Sequence, residues 1–367
     1  MNKLKPKIYF IILFSLFCFL SNYTQITSED KNYAEDIKTG FETKLLTPHN
    51  PIMINGDADF DTQANGNWDN GGTLDGLTAA SAYEIKDYLI DSATPAINII
   101  GTTRYFKIDT CTIKNSIDGI VLNNVQNSLI TNCTLISNSI GITINNTSTN
   151  NKVEASTIYD SANGIFMFHC DVNTIVGCDI YNTSDSDIFV GEGIYNFFEE
   201  NILKYSKRAI EFHDSINNTV YLNTIDLIAE DGLYLDNTET TTIRGNQIQN
   251  CDLFGVNIVS GTGNSIRGNN FIDNNPTANS QAQDNGVDNT FQCNHWNTWT
   301  SPNTDGDKFV DTPYSIMGSA SNTDTKPLVN PITDLAGFKC PFSIAIVIPS
   351  LFFVTLSALI YKKRFKK

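Results

Sequence analysis

The chain has little charge, and what it has is unevenly signed. Only 17% of its 367 residues are charged, with 24 basic against 40 acidic side chains and a net charge of −16. That balance provides no basic groove, so nucleic acid is excluded as an expected partner. Histidine is scarce at four residues, and so is methionine at four. No Cys-x-x-Cys occurs, so the usual donor sets for a soft metal are thin. Long stretches with apolar residues at helical spacing are missing too, which excludes a helix bundle. Yet 41% of the residues are hydrophobic, so the chain is not a disordered acidic tail.

The charge is also partitioned. Three lysines precede the first apolar run, and five basic residues follow the last one. All 40 acidic residues lie between Glu29 and Asp334; against the 16 remaining basic residues they leave the middle at −24. The run Ile8–Leu20 is too short to span a bilayer, which takes about 20 residues. Behind Lys3, Lys5 and Lys7 it reads as a secretory signal peptide over 1–25. Residues 342–361 form an uncharged run broken only by Pro349, followed by a basic tail over 362–367. These predict a C-terminal transmembrane helix with the tail in the cytoplasm, and so a single-pass protein whose body lies outside the cell. Residues 26–44 and 331–341 read as linkers.

Between those ends a pattern repeats: an apolar residue, a small polar residue three positions on, and another apolar residue two further. It runs Ile85-x-x-Tyr88-x-Ile90, Ile108-x-x-Cys111-x-Ile113, Ile130-x-x-Cys133-x-Leu135, Val153-x-x-Ser156-x-Ile158 and Ile175-x-x-Cys178-x-Ile180. It continues through Phe198-x-x-Asn201, Val220-x-x-Asn223, Ile243-x-x-Asn246 and Ile266-x-x-Asn269 to Phe291-x-x-Asn294-x-Trp296. The step is 22 or 23 residues until the last, which is 25. A glycine-led strand follows about half a turn later, as in Gly119-Ile-Val-Leu122, Gly141-Ile-Thr-Ile144 and Gly232-Leu-Tyr-Leu235. A period of this size built from strands means a solenoid. The fold class is therefore all-β, a parallel β-helix of about ten turns over 81–294. Its polar column ends in five asparagines, which suggests a hydrogen-bonded ladder along the axis. Caps are expected at 45–80 and 295–330, because a solenoid has open strand edges at both ends.

The asparagine-rich repeat and the closing Asn294-His-Trp296-Asn-Thr-Trp299, Asp305-Gly-Asp307 and Asp311-Thr-Pro-Tyr314 resemble NosD-like right-handed parallel β-helix proteins, of the pectate-lyase-like superfamily. The opening Pro51-Ile-Met-Ile-Asn-Gly-Asp57 resembles the first segment of the same group. The resemblance implies the fold over roughly residues 50–330. It does not imply one activity, since this architecture hosts lyases, hydrolases, epimerases and adhesins. The family name carries a copper association. His49, His169, His213 and His295 include no close pair, and His169 and His213 fall two turns apart, roughly 10 Å by the strand spacing. Copper is not an expected cofactor.

Several constellations can carry chemistry. Asn303, Asp305, Asp307 and Asp311 place oxygen ligands at alternate positions around a glycine, as calcium loops do; an acidic turn in the cap is the other reading. Asp57, Asp59 and Asp61 would share one face if their segment were a strand, and would then form a second cation site. Asp185, Arg208 and Glu230 share one repeat position on three successive turns, with Asp187, Lys207 and Glu211 beside them. They suit acid–base work on a glycan, which needs two carboxylates at a set separation, and equally a salt-bridge ladder on a solvated face. Removal of Cys18 with the signal leaves an odd seven cysteines, of which Cys111 and Cys133 read as reduced core residues. Phe166, Phe189, Tyr195, Phe197 and Tyr234 offer stacking surface or core packing.

Together these features predict a cell-surface, membrane-anchored β-helix that is a non-catalytic binding or structural module, with glycans or envelope polymers as its ligands. The alternative is an anchored polysaccharide lyase or glycoside hydrolase acting on extracellular glycans.

Overall fold

The structure, a computed structural model, describes residues 45–340. The signal peptide, the 26–44 linker, the membrane run 342–361 and the basic tail lie outside the described residues. Among the described residues, no helix is long and apolar enough to cross a membrane.

Among the described residues three sheets carry the body, parallel throughout except where Tyr314–Ser315 pairs antiparallel with Thr323–Asp324 at the end of the third. Sheet A has 11 strands, sheet B has 10 and sheet C has 12. One turn passes through Ser128–Thr131 in sheet C, Thr134–Ile136 in sheet A and Ile140–Asn145 in sheet B, and the next begins at Lys152–Glu154. The result is a right-handed parallel β-helix of about nine turns. The sequence repeat counts ten, one more, because ten repeats are joined by nine steps. Its register is the spatial register: Ile85 lies beside Ile108, Ile108 beside Ile130, and the column continues to Ile266 beside Phe291.

Strand residues alternate in direction. The isoleucine, leucine and phenylalanine columns point inward and are fully buried, from Ile85 to Phe271. The corners between sheets are sharp. Asn115, Asn132, Asn146, Asn182, Asn217 and Asn237 occupy them with φ of 50–62°. Asparagine is one of the few non-glycine residues that tolerate this region, because its short side chain can bond locally. The composition of the chain follows from this need as well as from its ladders.

Two asparagine ladders run inside. At the corner between sheets C and A, Asn201 donates to Asn223 at 2.9 Å, Asn223 to Asn246 at 3.0 Å, Asn246 to Asn269 at 3.0 Å and Asn269 to Asn294 at 3.1 Å. At the corner between sheets B and C, Asn151, Asn173, Asn196 and Asn218 form a second ladder with amide contacts of 3.1–3.3 Å. The repeat pattern marks only the first. Where the chain enters sheet B, glycine is required for close approach. A Cβ on Gly141 would stand 2.5 Å from the carbonyl oxygen of Gly164 on the next turn.

The ends are capped. The helix Asp57–Ala64 lays Phe60 over the first turn, stacked on Tyr83 at 5.2 Å and beside Phe106 at 5.0 Å. Because this segment is a helix, Asp59 turns away from Asp57 and Asp61, so the three acids do not share the one face that a strand would have given them. Asp57 accepts from Thr102 and Thr103, Asp59 from the Asn55 amide, and Asp61 from Arg104. At the other end Trp296 is sandwiched between Phe271 and Tyr314, each at 4.2 Å. Residues 331–340 are not a free linker. They fold back over the corner of sheets C and A, where Ile332 bonds to Asn270, the Tyr221 hydroxyl donates to Ala336, and Cys340 is disulfide-bonded to Cys293. The free cysteines Cys111, Cys133, Cys170, Cys178 and Cys251 are all buried.

Candidate functional site

The outer face of sheet B carries the densest chemistry. Ile188, Val190, Ile210, Phe212, Leu233 and Leu235 point inward and are fully buried. Residues 189, 211, 213, 234 and 236 therefore point out. Phe166, Phe189, Glu211 and Tyr234 lie in one column on four successive strands. His213 and Asp236 lie in the next column, and Ser186 and Arg208 form the column on the other side.

Aromatic rings make a continuous strip along these strands. Phe166 and Phe189 are stacked at 4.8 Å with 3° between their planes. Phe189 stacks on His213 at 5.4 Å, and His213 lies 5.7 Å from Tyr234. The Phe168 ring reaches across bare backbone at Gly191, where a Cβ would come within 2.7 Å of it. Arg208 lies over the Tyr234 ring at 4.2 Å, a cation–π distance.

Beside the strip sits a closed polar network. Arg208 holds Glu211 at 2.9 Å and Glu230 at 2.8 Å. His213 Nε2 donates to Glu211 Oε1 at 2.8 Å, and the Ser186 hydroxyl donates to Glu211 Oε2 at 2.6 Å. Burial alone would raise the Glu211 pKa. Hydrogen bonds from His213 and Ser186, with the charge of Arg208, outweigh it and bring the value down to about 2. The hydrogen bond to Glu211 raises the His213 pKa. Glu211 is thus an ionised carboxylate with both oxygens occupied, whereas a general acid needs a proton near neutral pH and a general base needs a free oxygen.

Of the three residues singled out from the repeat, Arg208 and Glu230 meet. Asp185 does not join them and pairs with Lys207 at 3.2 Å. Asp187 points inward, fully buried, and accepts from Ser206 at 2.5 Å and Thr183 at 3.1 Å. Burial pushes its pKa well above the ordinary carboxylate value. Phe197 is half-buried on the outer face of sheet C and Tyr195 is exposed, so neither belongs to the strip. The loop acids are held by local turns. Asp305 accepts the Asp307 amide, Asp307 the Phe309 amide, and Asp311 both the amide and the hydroxyl of Thr304, while the Asn303 side chain bonds Gly306 and Asp307.

The profile of a family described as "Periplasmic copper-binding protein (NosD)" matches residues 103–318, more than half of the chain. The chain belongs to the NosD family. No curated protein sequence matches it. Among solved structures, this NosD-family chain is similar to the A-module of the mannuronan C-5 epimerase AlgE6 of Azotobacter vinelandii. That match has a TM-score of 0.51 and 13% identity and covers 64% of this chain and 70% of the other. The Dettilon tailspike protein gives 0.46 with 14% identity, covering 68% and 59%. The periplasmic alginate epimerase AlgG gives 0.33 with 13% identity, covering 75% and 83%. At these identities the likeness is one of fold.

The copper in the family's description can be tested against the donors. Among the described residues, no three His, Cys, Asp or Glu side chains group around one point. His213 is bonded to Glu211 through one ring nitrogen and faces Asp236 at 3.6 Å through the other. The free thiols are buried inside the solenoid. This donor set does not fit a copper ion, which takes imidazole or sulfur ligands converging on one position.

Sequence reasoning missed the roles of Ser186 and His213 in this NosD-family chain. The signal was available in the alternation Ile210-x-Phe212, which turns Glu211 and His213 outward. It was obscured because Asp187 and Ala209 replace the leading glycine on those two turns.

Proposed function

We propose that this protein is a non-catalytic glycan-binding β-helix on the outer side of a membrane, held there by residues 342–361. The outer face of sheet B is its contact surface. The observation that carries this reading is the stacked Phe166–Phe189 pair on the outer face of sheet B, set beside a salt-bridge network in which Glu211 has no free oxygen. Flat apolar rings flanked by fixed polar groups suit the apolar faces and hydroxyl edges of sugar rings, whereas a hydrolase or lyase needs a carboxylate or base free to move a proton. The structurally similar epimerase is named for mannuronan, which is a reason to include that polymer among the ligands tried.

The test is a panel of neutral and acidic polysaccharides offered to the purified 45–340 body and to the full chain, with and without calcium. Binding without new chain ends is expected, with Phe189→Ala weakening it at least about tenfold, the size of a lost aromatic contact. Bond cleavage that disappears in Arg208→Ala would overturn the reading in favour of the anchored lyase or hydrolase. Recovery of the full chain in the soluble fraction after alkaline washing would remove the anchor.

A further inference from the structure

The outer face of sheet C treats its cations in two different ways. On its early strands each outward lysine has a carboxylate two residues away on the same strand. Lys86 pairs with Glu84, Lys107 with Asp109 at 2.8 Å, and Lys152 with Glu154. On the later strands the same two outward positions are Thr242 and Arg244, then Ser265 and Arg267. In the parallel register Thr242 and Ser265 stand in the column of Lys107 and Lys152, and Arg244 and Arg267 in that of Asp109 and Glu154, so each strand keeps a cation, now arginine, and has lost its carboxylate. Arg244 and Arg267 are direct neighbours in the parallel register, as are Thr242 and Ser265. Neighbouring strands are about 4.8 Å apart, so the two side chains leave the backbone at that separation.

Among the described residues neither guanidinium is in a salt bridge; Glu199, in the same column but beyond Tyr221, acts on Arg244 only by its charge at a distance. Arg244 lies over the Tyr221 ring at 3.7 Å, which directs its fork and leaves its N–H groups unspent. Arg267 is half-buried, and burial together with the charge of Arg244 depresses its pKa. Two like charges side by side on a half-buried surface are unfavourable by themselves, the more so when simple carboxylate pairing is used elsewhere on the same face. The body as a whole is strongly acidic, so a missing partner here is a local departure from its composition.

The setting is rigid. The returning segment 331–340 runs along the edge of this face. Phe338 packs on Gly268, immediately after Arg267, and the Leu335 carbonyl lies beside Gly245, immediately after Arg244. Tyr221 is tied to that segment through its hydroxyl at 3.3 Å from the Ala336 carbonyl oxygen, and the Cys293–Cys340 disulfide closes it. A planar fork held in place by ring stacking and flanked by hydroxyl donors suits a planar or tetrahedral oxyanion, bound by paired charged hydrogen bonds.

The geometry points to an oxyanion site on sheet C, made by Arg244 and Arg267 with the hydroxyls of Thr242 and Ser265, that takes carboxylate or sulfate groups of an acidic polysaccharide. The periodicity of the strands spaces the two arginines for groups repeated along a chain. This site is on a different sheet from the aromatic strip and stands without it.

The experiment titrates the purified body with sodium sulfate and with a polygalacturonate oligomer, following heat release at two salt concentrations. The oligomer is expected to bind in a salt-sensitive way, with Arg244→Gln and Arg267→Gln each weakening it about tenfold and Lys107→Gln, at a paired cation on the same face, leaving it unchanged. Sulfate is expected to bind weakly and to compete. Equal affinity in the double variant R244Q/R267Q, with unfolding temperature unchanged, would overturn the site. Binding only to vesicles carrying anionic lipid, and not to the oligomer, would overturn the polysaccharide as its ligand. Should the variants not fold, protection of Arg244 and Arg267 from phenylglyoxal by the oligomer in the unaltered protein gives the same decision, and absence of protection overturns the proposal.

Discussion

The carboxylate of Asp324 accepts the side-chain amide of Asn294 at 3.1 Å and so terminates the longer asparagine ladder. The same carboxylate takes the backbone amides of Cys293 and Asn294 and the indole N–H of Trp296. A ladder whose amides each donate to the next leaves its last member in need of an acceptor, and Asp324 is that acceptor, fully buried. Asp324→Ala strands several buried donors at once. Each costs about 1–3 kcal/mol when left unmade. A loss of at least about 3 kcal/mol in urea unfolding is expected, with Asp324→Asn milder because its oxygen still accepts. Equal stability of the alanine variant would show that the ladder needs no terminus.

Asp187 stands where other turns have glycine, and its second carboxylate oxygen has no partner. Its folded pKa is raised by burial, well above the ordinary 3.8. A raised acid holds its proton more tightly in the folded state than in the unfolded chain. Stability therefore falls as pH rises through the unfolded value and goes on falling until the folded value is passed. Asp187→Asn keeps an oxygen for Ser206 and Thr183 and removes the titration. The variant should melt close to wild type near pH 4 and increasingly above it toward pH 8. Parallel pH profiles of the two proteins would refute the assignment.

The fold was legible because a repeat of 22 or 23 residues leaves the chain few choices, and the apolar column Ile85 to Phe291 is its own register. The site was only half legible. Position in the repeat put Arg208 and Glu230 on neighbouring turns, and their long side chains meet although the register sets Arg208 beside Ser186. It placed Asp185 with them too, but Lys207 is nearer and takes its carboxylate. Direction was harder to read than phase. Phe166 and Phe189 look like core residues by composition, and only the strict alternation around Ile165, Met167, Ile188 and Val190 turns them outward. The acids at 57, 59 and 61 would share a face only on the two-residue period of a strand, and the segment is a helical turn. The Cys293–Cys340 pair had no signal at all, because Cys340 lies 47 residues beyond the last repeat's Cys293, in a segment without the repeat.

Glu211 and His213 titrate at opposite ends of the working range. The Glu211 pKa falls from 4.5 to about 2, so its contribution is present above about 4.5 and is lost as pH drops toward 2. The His213 pKa is raised from 6.5, so its contribution is complete below that value and is lost as pH climbs through the folded one. The pair should stabilise the body most between about pH 4.5 and 6.5. For a group as covered as Glu211, whose side chain is 9% exposed, the acid limb is worth on the order of 3 kcal/mol. Urea midpoints across pH 2–9 for wild type and Glu211→Gln test this. The variant should lose both slopes, because it removes the charge that each depends on.

The disulfide between Cys293 and Cys340 closes 47 residues of chain and fixes the returning segment against Tyr221, Gly245 and Gly268. Cross-linking over that length limits the unfolded chain by about 4 kcal/mol in the loop-entropy account. The segment itself makes few backbone ladder bonds, so its attachment depends on the crosslink and on Phe338. Cys340→Ser should release it before the β-helix melts. Limited proteolysis is expected to cut between Pro327 and Lys339 in the variant and in the reduced protein, leaving the repeats intact, while the oxidised wild type resists. A midpoint that drops with no new cleavage would instead mean that the disulfide stabilises the last turn and that the segment holds without it.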